Sequence, residues 1–189
     1  LRCLTDRSDT ITETLRRLVE VVSPSDNEPA GDQLVALLAG RFEKIGGHAK
    51  FHRVQDFGDH LQVDFAGAHG GKPVLLLGHL DTVYPLGTLS TMPCRVAEGR
   101  LWGPGALDMK SGIALVLHAL EGLRTWHSDS LPRPVTVLLV SDEEVGSSSS
   151  RRITESLARR SEAVLVLEPA DGIKGAPKTD RQGGGQSTS

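Results

Sequence analysis

The chain holds two cysteines in 189 residues, Cys3 and Cys94. Two isolated thiols, neither in a CxxC pair, make no disulfide framework and read as free thiols of a reducing compartment. No stretch approaches the ~18 consecutive apolar residues that a membrane-spanning helix needs. The opening LRCLTDRSDT lacks the apolar centre of a signal peptide, so a cytoplasmic setting is expected. Residue 1 is Leu rather than Met, which fits a start inside a longer chain or an unusual start. No long basic run is present and the formal net charge is −3, so neither nucleic acid nor an acidic membrane surface is expected as a partner. No GxGxxG follows any strand-like run, which argues against a nucleotide-binding Rossmann domain; Gly183-Gly184-Gly185 falls in the tail.

What is present suits one domain of ~100–200 residues. Apolar residues make up 38% and charged residues 24%, a soluble balance that can build a core. Thr10 to Val22 reads as a helix, with Thr10 and Glu13 as a capping box and Ile11, Leu15, Leu18 and Val22 on one stripe. Leu34, Leu37, Leu38, Phe42 and Ile45 mark a second helix, stopped at Gly46-Gly47. Strands are expected over His48–Val54 and Leu61–Phe65. A hairpin is expected at Arg95–Ala97 and Arg100–Trp102, turning through Glu98-Gly99.

Three short apolar runs have the length of strands buried on both faces: 74–77, 135–140 and 163–167. Helical patterns at Ser111–Arg124 and Ser148–Arg160 separate them. This βαβ rhythm predicts an α/β fold, a three-layer α/β/α sandwich on a mostly parallel sheet. The ending DRQGGGQSTS has no apolar pattern and reads as a flexible tail.

The chemistry clusters where these runs end. Leu77 is followed by Gly78-His79-Leu80-Asp81, Val140 by Ser141-Asp142-Glu143-Glu144, and Leu167 by Glu168-Pro169. Asp108 closes a glycine-rich loop just before the helix at Ser111. Taken singly, each is weak. HxD arises by chance, DEE is often a solvated loop, Asp108 suits a helix start, and Glu168 a strand end. Together they lie at the carboxyl ends of successive strands, where open α/β sheets form their sites. One imidazole among carboxylates suits zinc or another borderline divalent ion. Asp81 can accept from the second ring nitrogen of a metal-bound His79. A metal would relieve the charge crowding of Glu143-Glu144, leaving one of them to act as a general base.

The segments GHLDTVYPLGTL (78–89), GPGALDMKSG (103–112), SDEEVGSSSSR (141–151) and LEPA (167–170) resemble a dinuclear zinc metallopeptidase family. Its members include glutamate carboxypeptidase, aminoacylase, acetylornithine deacetylase and succinyl-diaminopimelate desuccinylase. The wording is most similar to the glutamate carboxypeptidase-like branch, and the likeness runs from about Ser8 to Thr179. It implies two zinc ions, with cobalt or manganese able to use the same ligands. His79 and Glu168 would hold one ion, Glu144 the other, and Asp108 would bridge them. Glu143 would be the general base and Asp81 would orient His79, with a cis peptide after Asp108. The implied reaction is hydrolysis of an amide bond in a small peptide or N-acyl amino acid, including glutamate-type C-terminal residues, by a zinc-activated water.

The same resemblance implies that residues 1–176 form the N-terminal part of a catalytic domain and that 177–189 form a tail. The family's lid domain, often used for homodimerisation, has no counterpart in the sequence, nor does a late His ligand. The alternative expectation is therefore a catalytically incomplete relative that binds a metal or a partner without turnover. Such a chain would also be prone to aggregate.

Overall fold

The computed structural model describes residues 7–127 and 130–169. Helix α1 spans Ser8–Glu20 and helix α2 spans Glu28–Lys44. Strands β1 (His48–His52), β2 (His60–Phe65) and β3 (Val74–His79) follow. A hairpin of β4 (Arg95–Ala97) and β5 (Arg100–Trp102) precedes helix α3 (Ser111–Trp126). Strand β6 (Val135–Val140), helix α4 (Arg151–Arg160) and strand β7 (Ala163–Val166) complete the described chain.

The main sheet has the order β1-β2-β6-β3-β7. β3 is parallel to both β6 and β7, whereas β2 is antiparallel to β1 and to β6. Only β2 therefore runs against the others, and the sheet is mostly parallel by strand direction. Alternation of side chains along β6 divides the core into two. Val137 and Leu139 join Leu34, Leu38, Phe42, Ile113 and Leu117 beneath α1, α2 and α3. Leu138 and Val140 join Leu75 and Leu157 beneath α4. Helices thus cover both faces, giving the expected α/β/α layering. No described helix is long and apolar enough to cross a membrane.

Two local expectations need correction. Thr10 and Glu13 do not form a capping box. The helix begins at Ser8, no side chain caps it, and the Glu13 carboxylate accepts from Arg16 and Arg17 one turn on. The cap appears instead on α2, where the Asn27 side chain accepts from the Ala30 N–H at 3.0 Å. β7 is not buried on both faces, because among the described residues it is the sheet edge. Leu165 and Val166 are 55% and 58% exposed there. The expected tail at 177–189 and Cys3 lie outside the described residues.

Candidate metal centre

The register of the parallel strands sets the site. His79, the last residue of β3, sits opposite Val140, the last of β6, and Leu77 sits opposite Val166, the last of β7. The chain leaving all three strands therefore emerges at one edge of the sheet.

His79 is buried. Its Nδ1 lies 2.9 Å from the backbone carbonyl of Asp81. A carbonyl only accepts, so Nδ1 carries a proton and Nε2 is the ring nitrogen left facing the carboxylates. Around Nε2 stand Asp108 Oδ1 at 3.1 Å, Glu168 Oε1 at 3.5 Å and Glu143 Oε2 at 4.0 Å. Burial opposes a charge on this ring, but the Asp81, Glu168 and Asp108 carboxylates outweigh it and push its pKa up to about 9.

Asp81 has more to do than its spacing from His79 suggests. Its Oδ1 is 3.4 Å from His79 Nδ1, farther than its own carbonyl. The carboxylate accepts from the Ser25 hydroxyl at 2.7 Å and from the backbone N–H groups of Glu143 and Glu144 at 3.2 and 3.1 Å. Burial disfavours its charge, yet His79, Ser25 and the Glu144 N–H together hold it below the ordinary carboxylate range. Asp81 thus ties the turn after β6 to the end of β3. Free N–H groups at the start of a helical turn attract an anion, a signal available in sequence. Ser25 had no such signal.

Asp108 lies in a kinked segment, Ala106–Lys110, entered through Gly105 at φ 66° and containing a cis Asp108–Met109 peptide. Met109 packs beneath β3. A Cβ on Gly78 would meet its Cε at 2.5 Å, so a side chain there would push the Met109 tip aside. Lys110 is buried and donates to the Val21 carbonyl at 2.7 Å; burial pulls its pKa down to about 7.

Glu143 and Glu144 open a short turn, Glu143–Val145. The preceding residue, Asp142, is fully buried and accepts from Ser149 and Ser150 at the entrance to α4. His60 bridges the same loop, with Nδ1 at 3.0 Å from Ser141 Oγ and Nε2 at 3.1 Å from Ser149 Oγ. His60 was not evident in the sequence, because its partners lie 81 and 89 positions away.

His79, Asp108 and Glu144 each offer a ligand atom, all within 4.8 Å of one another. Glu144 and Glu168 are pushed above the ordinary carboxylate range, by burial first and then by neighbours that include Asp108 and Glu143. Several carboxylates crowd around a single imidazole, which carries at most one positive charge, and a divalent cation supplies the rest. The donor set, one nitrogen and several oxygens, fits zinc. The other described histidines stay outside this cluster. His118 is buried between α1 and α3, with Nε2 2.9 Å from Thr14 Oγ1.

The profile of peptidase family M20/M25/M40 matches residues 75–178, more than half of the chain. Carboxypeptidase G2 of Pseudomonas sp. (strain RS-16) is 31% identical over 167 residues, covering 87% of this chain and 40% of that protein. Acetylornithine deacetylase of Salmonella arizonae is 30% identical over 164 residues, covering 83% of this chain and 42% of the relative. The chain therefore spans about two fifths of the length of the curated relatives it matches. Among solved structures, the M20 family metallo-carboxypeptidase Sso-CP2 from Sulfolobus solfataricus aligns with a TM-score of 0.73 at 20% identity, over 87% of this chain and 38% of that one. Human carnosine dipeptidase 1 aligns with a TM-score of 0.73 at 17% identity, over 88% and 39%. These two likenesses carry the fold alone. On its match to more than half of the described and undescribed sequence together, the chain belongs to peptidase family M20/M25/M40.

Proposed function

We propose that this chain is the metal-binding portion of a hydrolase that cleaves an amide bond in a small peptide or an N-acyl amino acid. The observation that carries the reading is the convergence of His79, Asp108, Glu144 and Glu168 beside Glu143, at the carboxyl ends of three neighbouring parallel strands. Relatives named as a carboxypeptidase and a deacetylase support the same reaction class.

In this reading His79 and Glu168 would hold one zinc, Glu144 would hold a second, and Asp108 would contribute to both; cobalt or manganese would use the same donors. When bound, such ions polarise an amide carbonyl and acidify water. Glu143 is the proton carrier: half exposed at the rim of the cluster, it takes a proton from water and returns it to the departing nitrogen. Asp81 positions both acidic residues through their backbone N–H groups and helps keep the Nδ1 proton of His79 in place. The burial of His79 excludes bulk water from the inner side of the cluster. Homodimer formation belongs to the resemblance and is proposed only with it.

A second reading, binding of one ion without turnover, draws on a specific observation. Among the described residues, the group of donors within 4.8 Å numbers three. Zinc titration by calorimetry combined with an assay of N-acyl amino acid hydrolysis separates the two. The first reading expects zinc-dependent turnover that Glu143→Gln lowers by about 10²–10⁴-fold while zinc binding persists. Zinc binding with no turnover in the parent chain supports the second. No zinc binding at all would remove both.

A further inference from the structure

Two cavities flank the metal cluster and differ in chemistry. One, of about 480 Å³, is lined on the His79 side by Glu143, Glu155 and Glu168, with Arg151. The other, of about 700 Å³, opens from Asp108 and Glu144 toward the β4–β5 hairpin. Its walls include Val83, Tyr84, Trp102 and Leu107, and Arg100 is the cation among its lining residues. Val83 and Leu107 are 67% and 70% exposed, and neither belongs to the core clusters. The Trp102 ring is backed by the Arg95 guanidinium at 5.4 Å, which supports its position on the hairpin. Arg100 forms no ion pair among the described residues.

We propose that this second cavity is a substrate subsite, and that its occupant is an aromatic amino acid on the carboxyl side of the scissile amide. Its ring would lie against Trp102, Tyr84 and Leu107, with its carboxylate toward Arg100. The inference rests on the hydrolase reading above and narrows its substrate class. Continuity with two ligand residues carries the first part: an amide held at Asp108 and Glu144 must extend its flanking groups into the adjoining spaces. Charge complementarity carries the second. The first cavity carries three carboxylates and its cation, Arg151, is paired with Glu155 at 3.0 Å, whereas the second, away from Asp108 and Glu144, offers an unpaired guanidinium beside aromatic surface. Apolar side chains exposed in a concave wall lose water when a ring enters, and aromatic faces add offset or edge contacts.

The test uses Trp102 fluorescence in the full chain carrying Trp126→Phe, so that Trp102 is the only indole. The probes are N-acetyl-L-phenylalanine, N-acetyl-L-alanine and N-acetyl-L-phenylalaninamide, each titrated with and without zinc. The expected result is a saturable change with N-acetyl-L-phenylalanine, about tenfold or more tighter than with the alanine analogue, as burial of a phenyl ring dictates. Arg100→Gln should weaken the acid by about tenfold and leave the amide unchanged, because only the acid has a charge to lose. Leu107→Asp should weaken both aromatic probes.

Equal affinity for the phenylalanine and alanine probes, or a change that follows protein concentration rather than probe, would overturn the proposal. The latter outcome would mean that a second copy covers the hairpin. Zinc calorimetry on the same protein keeps the two readings apart. Zinc binding lost in His79→Ala, with no aromatic preference, defeats the subsite alone. Aromatic preference with no zinc binding defeats the hydrolase reading, and with it the scissile-side assignment.

Discussion

At the residue scale, Asp81 shows how a single buried carboxylate ties two parts of a site together. It accepts one hydroxyl and two backbone N–H groups, from Ser25 and from the first two residues of the turn after β6. Asp81→Asn keeps the volume but removes one acceptor oxygen and the charge. The substitution should cost about 1–3 kcal/mol of stability, because a buried polar group loses its partner. It should also weaken zinc binding by about 10–100-fold, the usual effect of disturbing a group behind a metal ligand. Denaturant unfolding and zinc calorimetry on the same variant check the two effects. Unchanged zinc affinity would show that the carbonyl of Asp81 alone orients His79.

His60 provides a pH signature at the same scale. Burial holds its pKa below the ordinary value of 6.5, against the pull of Asp142, Asp59 and Asp81, with His52 adding to the depression. A depressed folded-state value means that the unfolded chain binds the proton more readily. Stability associated with neutral His60 is therefore complete above pH 6.5 and is lost as pH falls through the folded value. Thermal melting should decline below about pH 6.5, and His60→Gln should flatten that part of the decline. A pH profile identical in the variant would assign the loss to other groups.

At the scale of elements, Gly112 marks a close crossing of α3 and the chain leaving β7. A Cβ there would meet the Leu167 carbonyl oxygen at 2.3 Å, and Leu167 directly precedes Glu168. Gly112→Ala should destabilise by about 1–3 kcal/mol, as overpacking against backbone does. It should also displace Glu168, visible as weaker zinc binding. Wild-type values on both measures would show that the crossing relaxes without strain.

Elements were legible in the sequence wherever the apolar period was long and the boundaries were marked. The residues of the β4–β5 hairpin, the starts of β6 and β7, and the start of α3 fall where Glu98-Gly99, the branched runs and Ser111 place them. Five of the six acidic and imidazole residues stood out because they lie at or just beyond the ends of β3, β6 and β7, and Asp108 because it closes a glycine-rich loop before α3. Position in the sheet was not visible. The run at Ala163–Val166 has the composition of a central strand, but among the described residues it has one neighbour, a matter of topology rather than local pattern. Nor were the supports of the site. Ser25, His60, Ser149 and Lys110 act through partners distant in sequence, and no short-range periodicity records such pairings.

At the scale of the whole molecule, β7 sets the surface behaviour. Among the described residues its outer edge is open, and Val164, Leu165 and Val166 are all exposed. An apolar edge strand is a template for pairing with another chain. Leu165→Lys should raise the monomeric fraction at a given concentration, as read by light scattering, without loss of zinc binding. An equal degree of association in the variant would place the sticking surface elsewhere.

On this reading, three parallel strands deliver a divalent-metal site to one edge of the sheet. Zinc calorimetry on the parent chain, His79→Ala and Asp108→Ala tests it most directly. Circular dichroism should show that all three are folded. The expected result is saturable zinc binding in the parent, at least one ion per chain, abolished in His79→Ala and severely weakened in Asp108→Ala. Zinc binding of the same stoichiometry and affinity in all three folded proteins would contradict it.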